Sequence, residues 1–264
     1  MIASFDGVEL YLNKEARPDD ACVCVIVHGL CEHQGRYDYL AEMFHANGIG
    51  TYRFDHRGHG RSQGERAHYD DFNQLLDDVN VVVELAIAEN PAKPVFLLGH
   101  SMGGFGAALY GAKYPNKRLR GVVTSGALTR DNGKLISGVP KGMEPHTPLP
   151  NELGAGVCSV AEVVDWYGKD PYNGKTFTAG LCYALCEGVD WFADNAAKFT
   201  YPVLMMHGER DGLVRVQDTY DFFSMAASTD RQMKIYGMLY HEIFNEYCRD
   251  EVITDAIRWI LQRV

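Results

Sequence analysis

Ser101 lies at the centre of Gly99-His100-Ser101-Met102-Gly103, a G-x-S-x-G string directly after the apolar run Val95-Phe96-Leu97-Leu98 and directly before a helical pattern reaching Tyr114. A strand that turns into a helix within one residue puts that residue in a strained φ/ψ and leaves no room for a neighbouring Cβ. Flanking glycines are therefore what a nucleophile on such an elbow needs. Gly104 adds room for close helix packing. A serine hydroxyl attacks poorly near neutral pH until a base takes its proton, and that base must be a His held in one tautomer by a carboxylate. The chemistry implied is acyl transfer through Ser101.

The partners are expected in the order Ser, acid, His. Val203-Leu204-Met205-Met206 ends in His207-Gly208-Glu209-Arg210-Asp211-Gly212, which presents carboxylates at the end of a strand-like run. Asp211 is the expected acid and Glu209 the alternative. Met233 to Tyr236 leads through Gly237-Met238-Leu239-Tyr240 to His241. Beyond residue 198 only His207 and His241 occur, and His207 is still on its strand, so His241 is the expected base. Acyl transfer also needs donors for the developing oxyanion, each worth roughly 3 to 4 kcal/mol in the transition state. One is the backbone N–H of Met102. The other is assigned to the backbone N–H of Leu30, after Val27-His28-Gly29, where Gly29 lets the chain come close to Ser101. His28 is expected to shape this loop, and the turn Asp55-His56-Arg57-Gly58-His59-Gly60-Arg61-Ser62 to brace the site.

The elements that must position these groups follow from the apolar pattern. Short runs rich in Val, Leu, Ile and aromatics at 21–27, 49–54, 95–98, 119–125, 203–206 and 233–236 read as strands. Helical spacing appears at 37–47, 72–89, 102–114, 216–227 and 251–262. Strands buried on both faces and alternating with helices imply a mainly parallel sheet with helices on each side. Residues 8–12 alternate more like an antiparallel edge strand.

The alternation breaks between residues 129 and 198, where Pro140, Pro145, Pro148 and Pro150 precede helix-like segments near 160–167 and 177–184. This stretch is expected to be a helical cap inserted between the sixth and seventh strands, with 1–128 and 199–264 forming the core. Its aromatics Trp166, Tyr167 and Tyr183 are candidates for the substrate pocket.

Composition narrows the partners. With 35 acidic against 25 basic side chains and a formal net charge of −10, the chain is ill suited to bind phosphate backbones, so no nucleic-acid partner is expected. Met1-Ile2-Ala3-Ser4-Phe5-Asp6 lacks a basic stretch followed by an apolar core, and no apolar run spans a bilayer; a soluble cytoplasmic protein is expected. Most of the seven cysteines sit in apolar stretches without a C-x-x-C pair, as small buried residues of a reducing compartment would. Cys31 is the one beside the expected site. His56-Arg57-Gly58-His59 and His241-Glu242-Ile243-Phe244-Asn245 lack zinc spacing, so neither metal chemistry nor a cofactor is expected.

Four segments carry a resemblance to a known family. His28-Gly29-Leu30-Cys31-Glu32-His33-Gln34-Gly35-Arg36-Tyr37 resembles the H-G-x-x-E-H-x-x-R-Y segment of monoacylglycerol lipases and bacterial lysophospholipase-like hydrolases. Asp55 to Ser62 is similar to their D-x-x-G-H-G-x-S turn, and Gly99 to Gly104 to their G-H-S-M-G-G. Asp170-Pro171 resembles a motif of their cap. The resemblance covers almost the whole chain outside the cap. It implies the α/β-hydrolase fold with an eight-stranded type of sheet, Ser101, Asp211 and His241 as triad, Leu30 and Met102 as oxyanion amides, and a cap lining an acyl-chain channel. Leu30 is bulkier than the residue often found there, and Gly212-Leu213-Val214 replaces a cysteine that some relatives carry after the acid. The expected activity is hydrolysis of monoacylglycerol or lysophospholipid-type esters. A general carboxylesterase, a hydroxycinnamoyl esterase, a thioesterase or a peptidase are the alternatives within the superfamily, and a non-catalytic binding module is the alternative outside it. Transient contact of the cap with lipid is compatible with these readings. The sequence does not set the oligomeric state.

Overall fold

Five runs of the chain bury every one of their residues and form the middle of one sheet in a computed structural model that describes residues 1–115 and 117–264. They are β4 (Cys22–Val27), β5 (Ile49–Phe54), β6 (Val95–His100), β7 (Gly121–Ser125) and β10 (Val203–Gly208). Two partly exposed strands close the edges, β3 (Leu12–Glu15) and β11 (Arg231–Tyr236). The order is β11-β10-β7-β6-β4-β5-β3, parallel throughout except that β3 runs antiparallel to β5.

Side chains of β4 alternate between two cores, as the pleat requires. Val23, Val25 and Val27 face a cluster built with α2 (Phe72–Glu89), α3 (Met102–Lys113) and α5 (Ala179–Asn195). Cys22, Cys24 and Ile26 face a second cluster with Phe44 of α1 (Asp38–Ala46) and Trp259 of α7 (Arg249–Leu261). The sheet is thus covered on both faces, which explains why its central strands are buried throughout, even where β5 carries Thr51 and Arg53.

The sheet differs from the sequence expectation at one edge. It has seven strands where an eight-stranded type was expected, and its antiparallel edge strand is Leu12–Glu15 rather than 8–12. The chain leaves the ladder at Tyr11, whose N–H donates to Ser62 Oγ at 2.8 Å. The preceding residues instead form a separate two-stranded ribbon of β1 (Ile2–Ala3) and β2 (Glu9–Leu10).

The long connection between β7 and β10 holds β8 (Pro148–Pro150) and β9 (Thr176–Thr178), paired antiparallel, together with α4 (Ala161–Lys169) and α5. It therefore leaves the sheet after its fifth strand in chain order. The helix α5 is longer than the 177–184 segment expected, because Leu185, Val189 and Phe192 continue its apolar face against α2 and α3. Between β10 and β11 lies α6 (Val216–Met225). Among the described residues, no helix is long and apolar enough to cross a membrane.

Candidate active site

Parallel strands end at a common edge, and loops at that edge are where α/β sheets place their chemistry. At the end of β6 Ser101 adopts φ 56° and ψ −119°, a strained conformation for a residue with a side chain. The glycines around it are sterically required. A Cβ on Gly99 would lie 2.1 Å from Gly103 O, and one on Gly103 would lie 2.3 Å from both Val27 O and His28 O. The Ser101 N–H donates to Ser125 O at 2.8 Å, tying the turn to β7. An ordinary helix-capping serine would sit in an extended conformation and cap with its hydroxyl; Ser101 does neither.

His241 Nδ1 stands 2.6 Å from Asp211 Oδ2. The other oxygen of Asp211 accepts the N–H groups of Leu213 and Val214, each at 2.9 Å, so the carboxylate is fixed in plane. His207 Nε2 lies 3.0 Å from Asp211 Oδ2, and its Nδ1 lies 2.7 Å from Thr219 Oγ1. Burial disfavours the charged form of both residues. The mutual attraction of the pair outweighs it, holding Asp211 well below the usual carboxylate range and raising His241 above its ordinary value. Gly126 lets the imidazole in, since a Cβ there would be 3.0 Å from His241 Nδ1. Glu209, the alternative acid, points to solvent from the same loop.

Ser101, Met102, Leu30 and His241 line one cavity. Gly29 permits the approach of the β4 loop, because a Cβ there would be 3.0 Å from Ser101 Cβ. Among the described residues, the N–H groups of Leu30 and Met102 have no acceptor within the protein, and both residues face this cavity. Such an arrangement can remove a proton from a hydroxyl and offer two amides to a developing oxyanion. Its apolar walls are Leu128, Leu135, Ile136, Leu153, Val157, Leu185 and Leu213, with Tyr167, and Glu32, His100 and Glu242 line it beside the catalytic groups. The free space is about 20 Å³, room for a water molecule or so.

Of the three aromatics expected at the pocket, only Tyr167 reaches it. Trp166 is 59% exposed on the outer face of α4, because adjacent residues of a helix point about 100° apart. Tyr183 faces another groove, where its hydroxyl donates to Pro140 O and accepts the Met143 N–H. Cys31 lies beside the oxyanion loop, but burial pushes its thiol up to about 12, which leaves it unreactive.

Sequence reasoning passed over the groups that hold the loops. Glu32 accepts the Gly29 N–H at 2.5 Å, the Tyr37 hydroxyl at 2.7 Å and Arg36 Nη1 at 2.9 Å. Arg36 also pairs with Glu242. The signal was present in the Glu32, Arg36 and Tyr37 positions of the resembling segment, but only the fold shows what they touch. His28 does shape its loop. Its Nδ1 donates to Gly29 O at 2.7 Å while its Nε2 accepts the His56 N–H at 2.9 Å. The Asp55 turn braces the same loop through His56 Nε2, 3.0 Å from His28 O, and through Asp55 Oδ1, which accepts the Gln34 N–H.

With this geometry in view, the likeness to known proteins becomes informative. The family model Hydrolase_4, described as serine aminopeptidase, S33, matches residues 18–247. A monoacylglycerol lipase of Mycolicibacterium smegmatis is 36% identical over 253 residues, covering 93% of this chain and 90% of that protein. The chain belongs to the monoacylglycerol lipase-like serine hydrolases of the α/β-hydrolase fold. The human monoglyceride lipase is 34% identical to this hydrolase over 251 residues, covering 90% of this chain and 82% of its own. A crystal structure of the monoacylglycerol lipase of Paleococcus ferrophilus superposes with a TM-score of 0.85 at 26% identity, over 97% of this hydrolase and all of that chain.

Proposed function

We propose that this hydrolase cleaves monoacylglycerol or lysophospholipid-type esters through an acyl-enzyme on Ser101. His241 Nε2 takes the hydroxyl proton as Ser101 attacks the carbonyl carbon, and Asp211 holds the imidazole in the required tautomer through Nδ1. The oxyanion is met by the Leu30 and Met102 amides. His241 then returns the proton to the leaving alcohol. Water, deprotonated by the same imidazole, attacks the acyl-enzyme and releases the fatty acid. No external redox partner or electrophile is required by these steps.

The observation that carries the substrate class is the wall of the cavity. Six aliphatic side chains contributed by residues 135–213 stand over Ser101. The two carboxylates nearby, Glu32 and Glu242, are both committed to Arg36. An acyl chain finds apolar surface here, whereas the α-amino group of a peptide finds no free anion to meet it. This supports an acyl ester over the peptide suggested by the family description. The small free space implies that 129–198 acts as a cap on the core 1–128 and 199–264 and must move outward to admit a chain. The exposed indole of Trp166 supports passing contact of that cap with the lipid that presents the substrate. Seven free thiols, five of them buried, support a reducing, cytoplasmic setting.

The test is hydrolysis of p-nitrophenyl esters from acetate to palmitate, 1-monoacylglycerol, lysophosphatidylcholine and a hydroxycinnamoyl ester by wild type and Ser101→Ala, with fluorophosphonate labelling of both. Turnover and labelling by wild type alone support the reading, with the long-chain glyceryl or lysophospholipid esters preferred. A preference for acetate or for the aryl ester would overturn the substrate class. An inert, unlabelled wild type would overturn the mechanism.

A further inference from the structure

Outside the lining of the Ser101 cavity, Glu65, His68 and His146 bring one ligand atom each to within 4.8 Å of one another. No linear spacing reveals this group, since Glu65 and His68 lie on the loop before α2 and His146 in the long connection before β8. We propose that it is a binding site for a divalent transition-metal ion of the zinc type, which staples the segment around residue 146 to the core.

His68 is built as a ligand. It is buried, and its Nδ1 lies 2.9 Å from Thr178 Oγ1. The Thr178 hydroxyl accepts the Leu181 N–H and lies 3.2 Å from Ala67 O, and when it gives its proton to that carbonyl it accepts from His68 Nδ1. In that arrangement the imidazole carries its proton on Nδ1 and presents the Nε2 lone pair outward. This is the hydrogen-bonded tautomer that metal-ligating histidines adopt. Gly180 packs against the ring so closely that a Cβ there would be 2.6 Å from His68 Cε1.

What Nε2 faces is acidic. Asp70 Oδ1 lies 3.3 Å from it. A lone pair and a carboxylate oxygen at that distance repel unless a cation or a proton stands between them. His146 stacks on His68 with ring centroids 4.5 Å apart, and its Nδ1 lies 2.9 Å from Glu65 Oε1. Its backbone is pinned on either side, by the Gly180 N–H on Pro145 O and the Ala179 N–H on Thr147 O. Two imidazoles and a carboxylate form the nitrogen and oxygen donor set that suits zinc. Tetrahedral ligands about 2.0 to 2.1 Å from an ion stand roughly 3.3 Å apart. Glu65 and His146 are already in contact, and the wider separations, up to 4.8 Å, require a shift of up to about 1.5 Å, which the 65% exposed His146 and 49% exposed Glu65 can make while His68 stays fixed.

The experiment is calorimetric titration of chelator-stripped wild type, His146→Ala and Glu65→Gln with zinc chloride at pH 7.5, with thermal unfolding midpoints measured with and without zinc. Both variants alter exposed side chains outside the ester-cleaving machinery, so their zinc-free ester turnover and unfolding are expected to match wild type. Wild type is expected to bind one zinc ion and to gain in unfolding midpoint, and each variant to bind at least tenfold more weakly with no such gain. Absence of saturable binding by wild type, or binding by His146→Ala equal to that of wild type, would overturn the proposal. The second result would place the zinc on other groups, such as the partly exposed thiols.

Discussion

Arg36 donates two hydrogen bonds to Glu242, at 2.5 and 2.7 Å, and Glu242 is the residue that follows His241. The same guanidinium reaches Glu32, which holds the Gly29 N–H in the loop carrying Leu30. One cation thus struts the base loop against the oxyanion loop.

Replacing that strut has two readable effects. Arg36→Met leaves two buried carboxylates facing each other, and removing one partner of a buried pair costs about 3 to 5 kcal/mol of stability. Urea unfolding should show a loss of that size. Displacement of His241 by a fraction of an ångström should lower kcat by roughly 10- to 100-fold with KM changed far less. A loss confined to KM would mean that Arg36 meets substrate instead of positioning the base.

The acid limb of the pH profile is set by the Asp211 and His241 pair. Burial lowers the imidazole, but the adjacent carboxylate raises it above 6.5 overall. The base must be neutral, so kcat/KM should fall as pH drops through this raised value, with a midpoint above 6.5. In Asp211→Asn the charge is gone and burial remains, so the limb should move to lower pH while kcat falls by roughly 10⁴. Measurement of kcat/KM for p-nitrophenyl butyrate from pH 5 to 9 checks both. A wild-type midpoint at or below 6.5 contradicts the assignment.

Mild acid should destabilise the fold. Burial pushes His56 down to about 4 and His59 and His100 to about 3, and it holds His28 well below its ordinary value. The unfolded chain binds protons at these sites below about pH 6.5 while the native state refuses them, so stability falls as pH drops from there toward 4. His241 acts in the opposite sense: its stabilising pair is fully present below the unfolded value and fades as pH rises through the folded one. Several lowered histidines outweigh one raised. The unfolding free energy from urea titrations should drop steadily from pH 6.5 to 4.5, by several kcal/mol in all; a flat profile over that range would disprove the neutral cluster.

Chain-length selectivity should respond to the cavity wall. Leu213 packs on Gly156, where an added Cβ would sit 2.8 Å from its Cδ2, and it narrows the space above Ser101. Leu213→Ala should raise kcat/KM for p-nitrophenyl palmitate relative to acetate several-fold, as rates on both esters by one preparation will reveal. An unchanged ratio would place the acyl chain elsewhere.

The order of elements, the elbow at Ser101 and the positions of Asp211 and His241 were legible along the chain, because each depends on local rules. A buried parallel strand must be apolar, a strained turn must be flanked by glycine, and strand ends must carry the chemistry. The edge of the sheet was not legible. Tyr11 leaves the ladder for Ser62, some fifty residues away, and nothing local announces that choice. Trp166 and Tyr167 are neighbours of the same type in sequence, and only packing of α4 decided that one faces the cavity and the other solvent. The strut of Arg36 to Glu242 and the grouping of Glu65 and His68 with His146 likewise join residues far apart in the chain. Short-range sterics and periodicity are written residue by residue. Side-chain orientation and long-range pairing are settled only when separate elements compete for the same buried space.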